Sequence, residues 1–414
     1  MSIKIAHISD NHLGYSTKRR LNEDGVNLRE NDGYVAFDQM VTDIIENKVD
    51  FVLGGGDIFH TPNPSVRTVL FAQEQLRRFY EAGIPVYLIA GNHEVSDIKG
   101  DIASSRLLND PDRQIFSYVS PYSVVEPIDG VFLHLSSHHL FSEQADTMTK
   151  IKPIPGAINI FTTHGTVVDP ETHQKIAVSQ SPREVVVPDF LLKDNDWSYA
   201  LFGHIHTRGF VGGKDTKIFY NGSAIRRGFA DAEGDKGRGW TLWTISDNGE
   251  FSPEFRQIAQ RPQFDYPTID GTGLNASQVS EMMIKNLTET SVENSRIFVP
   301  EIAPILRQRL INISPATYTA LDWRNINENS KYAFSYDVLN QPKQETLFTA
   351  NSDNSENGSE EGSLDSGDII DVYNTWVKSS QTIQGLGEDV KPRVIGEARG
   401  FLSRSRNQVL EETD

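Results

Sequence analysis

Five short apolar runs between Ile3 and Phe202 each end in a small cluster of acidic, amide, imidazole or glycine residues. Ile3–Ser9 leads into Asp10-Asn11-His12, and Phe51–Leu53 into Gly56-Asp57. Val86–Ala90 leads into Gly91-Asn92-His93-Glu94, Ile158–Thr162 into Thr163-His164-Gly165, and Tyr199–Phe202 into Gly203-His204-Ile205-His206. Short apolar runs closed by polar or glycine residues read as buried strands. Strand ends on one sheet edge are where side chains from distant sequence converge in a crevice. A fold that keeps these strands side by side therefore gathers all five clusters. Asp10-x-His12 and His204-x-His206 each put two donors on one side of an extended segment. The donors are carboxylates, imidazoles and one amide. That chemistry suits borderline or hard divalent ions such as manganese, iron or zinc.

Helical stripes lie between the early strands. Residues 35–47 align Val35, Phe37, Met40, Val41, Ile44 and Ile45; residues 65–80 align Val66, Val69, Leu70, Leu76, Phe79 and Tyr80. Strand–helix alternation followed by a strand-rich second half predicts an α/β layered domain over residues 1–260. From Arg261-Pro262 the pattern changes to a small α+β domain, 261–345. It is expected to hold strands at Phe264–Ile269 and Ile297–Val299 and helices at Ala276–Leu287 and Ala303–Leu310. Residues 346–367 read as an acidic flexible linker, with Leu364 the one apolar residue of 351–367. Residues 368–414 begin with a helix bearing Ile369, Ile370, Val372, Tyr373, Trp376 and Val377, a stripe suited to docking.

Charge narrows the function classes. Lys plus Arg number 39 against 57 Asp plus Glu, a net −18, which argues against gripping nucleic acid by bulk electrostatics. The excess is uneven: residues 351–389 carry nine acids and one base, whereas 208–238 carry seven bases and four acids. A local basic lip, with Arg208, Arg226 and Arg227 as candidate DNA contacts, is compatible with that distribution. The absence of cysteine excludes disulfides, thiol catalysis and sulfur-ligated metal sites, and fits a reducing cytoplasm. No run approaches the ~20 apolar residues of a membrane span.

The order D-x-H, G-D, G-N-H-E, H-G, G-H-x-H resembles the calcineurin-like metallophosphoesterase superfamily. Within it, His7-Ile-Ser-Asp-Asn-His-Leu-Gly-Tyr15, Gly56-Asp57-Ile-Phe-His60 and Tyr220-Asn-Gly-Ser-Ala-Ile-Arg226 resemble the SbcD family, the nuclease subunit of a double-strand-break repair complex. The resemblance covers residues 1–260 well and the remainder only by order of elements. It implies a sandwich of two packed β-sheets flanked by helices, with a small α+β cap and C-terminal helices. It further implies two divalent cations, manganese by preference. Asp10, His12, Asp57 and His206 would hold one, and Asp57, Asn92, His164 and His204 the other, with Asp57 bridging. His93 would donate to the phosphate or leaving oxygen, and His60 would steer the DNA backbone.

The implied activity is 3′-to-5′ exonuclease and single-strand or hairpin endonuclease cleavage, by in-line attack of water activated between the cations. An SbcC-type coiled-coil ATPase would be the partner. A homodimer built on the 65–80 helix and Ile102–Leu108 is also implied, as is a cytoplasmic, nucleoid-associated location (host cytoplasm for a phage protein). Plainer readings stand beside these. His93 can support a metal ligand, His60 can cap the turn before Thr61-Pro62, and the arginines can be ordinary surface charges. His7 reads as a hydrogen-bonded interior residue; His138-His139 has no assigned role. A phosphomonoesterase or cyclic-nucleotide phosphodiesterase shares the same metal site, and a silent ATPase scaffold is the rival from another class.

Overall fold

In the computed structural model the described residues are 2–95, 102–120, 122–138, 150–167, 186–187, 191–192, 195–211, 217–229, 237–291 and 302–341. All fall in one compact unit, Met1–Gln344. The expected linker and terminal helix, Ile297–Val299 and His139 lie outside them.

Strands β1 (Ile3–Ile8), β2 (Phe51–Gly54), β3 (Val86–Ile89) and β4 (Ile115–Tyr118) run parallel and in sequence order. Helices α1 (Leu28–Glu46) and α2 (Val66–Glu81) cross between them. Next come β5 (Tyr122–Ile128), β6 (Val131–Ser136), β7 (Ile158–Thr163), the short pair β8 (Thr166–Val167) and β9 (Val186–Val187), β10 (Tyr199–Phe202), β11 (Gly209–Phe210) and β12 (Ile218–Tyr220). Apart from the β8–β9 pair, they form a second sheet in the order β11-β12-β10-β7-β6-β5. The chain then returns to the first sheet through β13 (Arg238–Ile245) and β14 (Phe251–Ile258), giving β14-β13-β1-β2-β3-β4. The two sheets pack face to face on Ile5, Phe51, Leu53, Leu133, Ile160, Leu201, Phe219 and Trp243, all fully or nearly fully buried.

Caps explain where the helices start. Asn27 accepts from the Arg29 amide at the head of α1, and Ser65 accepts from Thr68 at the head of α2. Helix α1 begins seven residues before the apolar stripe at Val35. Val35 itself is exposed, because Leu28, Tyr34, Phe37, Met40, Val41 and Ile44 supply the buried face. In α2 only part of the stripe is core: Leu76 and Phe79 are buried, while Val66 is 76% and Leu70 60% exposed.

The third sheet is parallel, β15 (Gln263–Asp270), β16 (Ile305–Ile311) and β17 (Ser335–Gln341), covered on one face by α3 (Ala276–Ser291). Short helices α4 (Pro315–Thr319) and α5 (Trp323–Ser330) connect β16 to β17. Here the expected helix at Ala303–Leu310 is replaced by a strand. Leu306, Gln308 and Leu310 are fully buried while Arg307 and Arg309 face the other way, a period of two that overrides helix propensity. This subdomain is tied to the sandwich by Arg261. Its guanidinium grips both oxygens of Asp32 at 2.7 Å, and Arg29 reaches the same carboxylate at 2.6 Å.

A candidate two-cation centre

The C-terminal ends of β1, β2, β3, β7 and β10 meet on one edge of the sandwich and bring all seven expected ligands together. Tight turns are required there. Asp10, His12, Asp57 and His204 have positive φ of 51°, 47°, 54° and 97°. For non-glycine residues this left-handed backbone is strained, and such strain concentrates at functional sites. Two glycines provide the room. A Cβ on Gly91 would lie 2.2 Å from Asp57 Oδ1, and one on Gly56 would lie 2.6 Å from His164 Nδ1.

Two donor groups result. In the first, His12 Nε2 lies 3.1 Å from His206 Nε2, 4.0 Å from Asp10 Oδ1 and 3.9 Å from Asp57 Oδ2. In the second, His164 Nε2 lies 2.9 Å from Asn92 Oδ1 and 3.2 Å from Asp57 Oδ2, and His204 Nδ1 lies 3.2 Å from Asn92 Oδ1. Asp57 Oδ2 belongs to both. The donors are mostly buried, with Asp10, His12 and His164 fully so. His204 Nε2 is a buried polar atom with no hydrogen-bond partner among the described residues.

Electrostatics prepare the donors. Burial, and then the charge of Arg227, hold the His12 imidazole well below its ordinary value. Burial and His164 push His204 down to about 3. Burial alone would lower His164 too, but the neighbouring Asp57 carboxylate outweighs it and raises the imidazole to about 9. Asp57 is held well below the carboxylate range; burial opposes this, but the charge of His164 prevails. Neutral imidazoles and ionised carboxylates are the forms that ligate a cation. The crowding of lone pairs around Asp57 is what a pair of cations relieves, and the oxygen–nitrogen donor set fits divalent ions. Surrounding bonds fix the donors. His164 Nδ1 donates to the Gly55 carbonyl at 2.8 Å, so Nε2, facing Asp57, is the nitrogen left for a cation once its proton is displaced. The His204 amide donates to both Asp10 oxygens, at 3.0 and 3.2 Å.

His93 and His60 sit beside the first group. Their rings stack at 5.0 Å, and His93 Nδ1 donates to the His60 carbonyl at 2.9 Å. His60 Nδ1 also approaches His12 Nδ1 at 3.4 Å, so His60 touches a donor as well as facing outward. Burial and then His93 push the His60 imidazole down to about 4. Of the three arginines, Arg227 meets the centre: its Nη2 is 3.2 Å from His206 Nε2. Arg208 stacks over Phe255 at 4.1 Å, and the Arg226 amide donates to Gln260.

Sequence reasoning passed over Glu94. Fully buried, it accepts from the amides of Ile58 (3.0 Å), Phe59 (3.2 Å) and Gly91 (2.9 Å), lacing the β2 and β3 turns together. Burial and the Asp57 charge raise its carboxyl to about 8. Its position closing Gly-Asn-His-Glu was the available signal. Tyr15, whose hydroxyl donates to the Arg227 carbonyl at 2.8 Å, was another omission. His7 departs from expectation: it is fully buried, yet neither ring nitrogen has a partner among the described residues. His138 Nδ1 lies 3.2 Å from the His164 carbonyl.

The family model described as calcineurin-like phosphoesterase matches residues 3–208, the span that carries every donor above. The chain carries a calcineurin-like phosphoesterase domain. Curated relatives of this chain include three archaeal proteins named DNA double-strand break repair protein Mre11. That of Methanocaldococcus jannaschii is 28% identical over 59% of this chain and 63% of its own. That of Methanococcus maripaludis is 43% identical over 22% of this chain and 23% of its own. That of Sulfurisphaera tokodaii is 27% identical over 59% of this chain and 60% of its own. The match spans less than two thirds of each relative's length. Among the described residues, no helix is long and apolar enough to cross a membrane.

Proposed function

We propose that this phosphoesterase is a two-cation DNA nuclease that processes double-strand ends. The observation that carries the reading is Asp57 Oδ2 lying within 4 Å of an imidazole of each donor group, with Asp10 close to both sets. Asp10, His12, Asp57 and His206 would hold one cation and Asp57, Asn92, His164 and His204 the other, with manganese our choice of ion. When bound, such a pair supplies an activated water and neutralises charge on the phosphodiester. The chain's own residues do the rest. His93 has Nδ1 committed to the His60 carbonyl, so in the imidazolium form Nε2–H is the group that gives a proton to the departing oxygen. His60 braces His12 and guides the backbone of the DNA.

The relatives' printed role in double-strand break repair supports DNA as the substrate; 3′-to-5′ exonuclease and single-strand or hairpin endonuclease cleavage are the activities we assign to it. We assign residues 261–345 to DNA contact and 368–414 to docking an SbcC-type ATPase, which would supply the positive surface this acidic chain lacks. The partly exposed apolar face of α2 supports a homodimer. The test is cleavage of blunt and hairpin duplexes by the manganese-loaded protein, against turnover of a chromogenic phosphomonoester. DNA cleavage is expected; brisk monoester turnover with intact DNA would favour the phosphomonoesterase reading.

A further inference from the structure

We propose that Arg227 is a catalytic residue whose guanidinium binds the phosphate undergoing cleavage beside His206. The proposal rests on the phosphodiesterase reading and adds a phosphate-binding group supplied by the chain itself. Arg227 Nη2 lies 3.3 Å from His206 Nδ1 and 3.2 Å from Nε2. Nearly equal reach to both ring nitrogens places it against the face of the imidazole, off the line of either lone pair. His206 would therefore still have Nε2 for a cation, with the guanidinium held beside the ring.

The placement is built rather than incidental. Tyr15 donates its hydroxyl to the Arg227 carbonyl at 2.8 Å, and the same ring stands edge-on to His60 at 5.0 Å. One residue earlier, Arg29 donates to the Arg226 carbonyl. Arg29 is itself buried and anchored on Asp32. The backbone at Arg226 and Arg227 is thus gripped from two elements, which fixes where the guanidinium emerges.

Charge decides between a structural and a reactive role. A fixed guanidinium beside donors arranged for two divalent cations is repelled by them. It becomes favourable when an anion lies between, and a planar fork of N–H donors matches phosphate oxygens. A residue kept only to support His206 would more economically be a hydrogen-bond acceptor.

The experiment uses the full chain saturated with manganese and inorganic phosphate as the probe, followed by calorimetry. Arg227→Gln should weaken phosphate binding about 10- to 100-fold, because it removes a charge-assisted hydrogen bond to the anion. Arg227→Lys, which keeps charge but loses the fork, should fall between. Manganese affinity should hold or rise, since a repelling cation is removed. With bis-p-nitrophenyl phosphate as substrate, kcat should drop about 100-fold or more while KM moves less. Unchanged phosphate affinity in Arg227→Gln overturns the proposal, as does a matching loss of manganese affinity, the mark of a residue that only props His206. Arg227-dependent phosphate binding by a protein that leaves duplex DNA intact would uphold this site and refute the nuclease reading.

Discussion

His164 Nε2 lies 3.2 Å from Asp57 Oδ2, and the two residues shift each other's protonation in opposite directions. Without cations the imidazole, raised to about 9, holds a proton at neutral pH. A cation must displace that proton to reach Nε2. Apparent manganese affinity is therefore expected to strengthen as pH rises from 6.5 towards about 9, with proton release on binding. Calorimetry in buffers of different ionisation enthalpy measures both; affinity flat across that range contradicts the pairing.

Glu94 should matter to both fold and site. In Glu94→Gln the amide oxygen can still accept from Ile58 and Phe59, but the NH₂ group cannot accept from Gly91 as Oε2 does. The expected loss is about 1–3 kcal/mol in urea unfolding, the cost of a buried donor left without its acceptor. Weakened manganese binding should accompany it, because the turns carrying Asp57 and Asn92 loosen. A variant with wild-type stability and affinity would show that Glu94 only fills space.

Asp43 joins α1 to the outer strands of the first sheet, accepting from Trp240 Nε1 (2.9 Å) and from Arg256 Nη2 (2.7 Å). Burial would raise its carboxyl, but the bonds from Arg256 and Trp240 outweigh that and lower it. A depressed folded pKa contributes stability that is present above the unfolded value of ~3.9 and is lost as pH falls through the folded value. Asp43→Ala should cost about 1–2 kcal/mol at neutral pH, a figure already reduced for solvent screening of a partly exposed pair. It should also flatten the acid limb of a stability–pH curve below pH ~4. An unchanged acid limb would place the effect elsewhere.

The outward face of α2 offers Val66, Leu70 and Tyr80, and the segment that follows in sequence adds exposed Ile102 and Leu107. An exposed apolar set of this kind fits the association surface proposed above. Leu70→Glu is expected to convert a dimer to a monomer in sedimentation equilibrium. A wild-type chain that sediments as a monomer would remove the dimer from the account.

The sandwich and its donors were legible because each cluster follows an apolar run short enough for only a strand. The side chains Asp10, Asp57 and His204 also have the chemistry of one task. Elsewhere the sequence was ambiguous for physical reasons. Ala303–Leu310 mixes Leu, Gln and Arg, all good helix formers, and only its parallel pairing with β15 and β17 makes the period-two pattern decisive. In α2 an apolar stripe does not say which half meets the core. Arg227 and Tyr15 gain their roles from a contact across many residues of chain, Tyr15 to the Arg227 carbonyl, that no local pattern encodes.

The central claim is that Asp57 joins two cations, and electron paramagnetic resonance of the manganese-loaded protein tests it most directly. Two manganese ions per chain with an exchange-coupled spectrum are predicted, and Asp57→Asn should lose that coupling together with cleavage of DNA. A single bound ion, or two ions with uncoupled spectra in the unaltered protein, would contradict it.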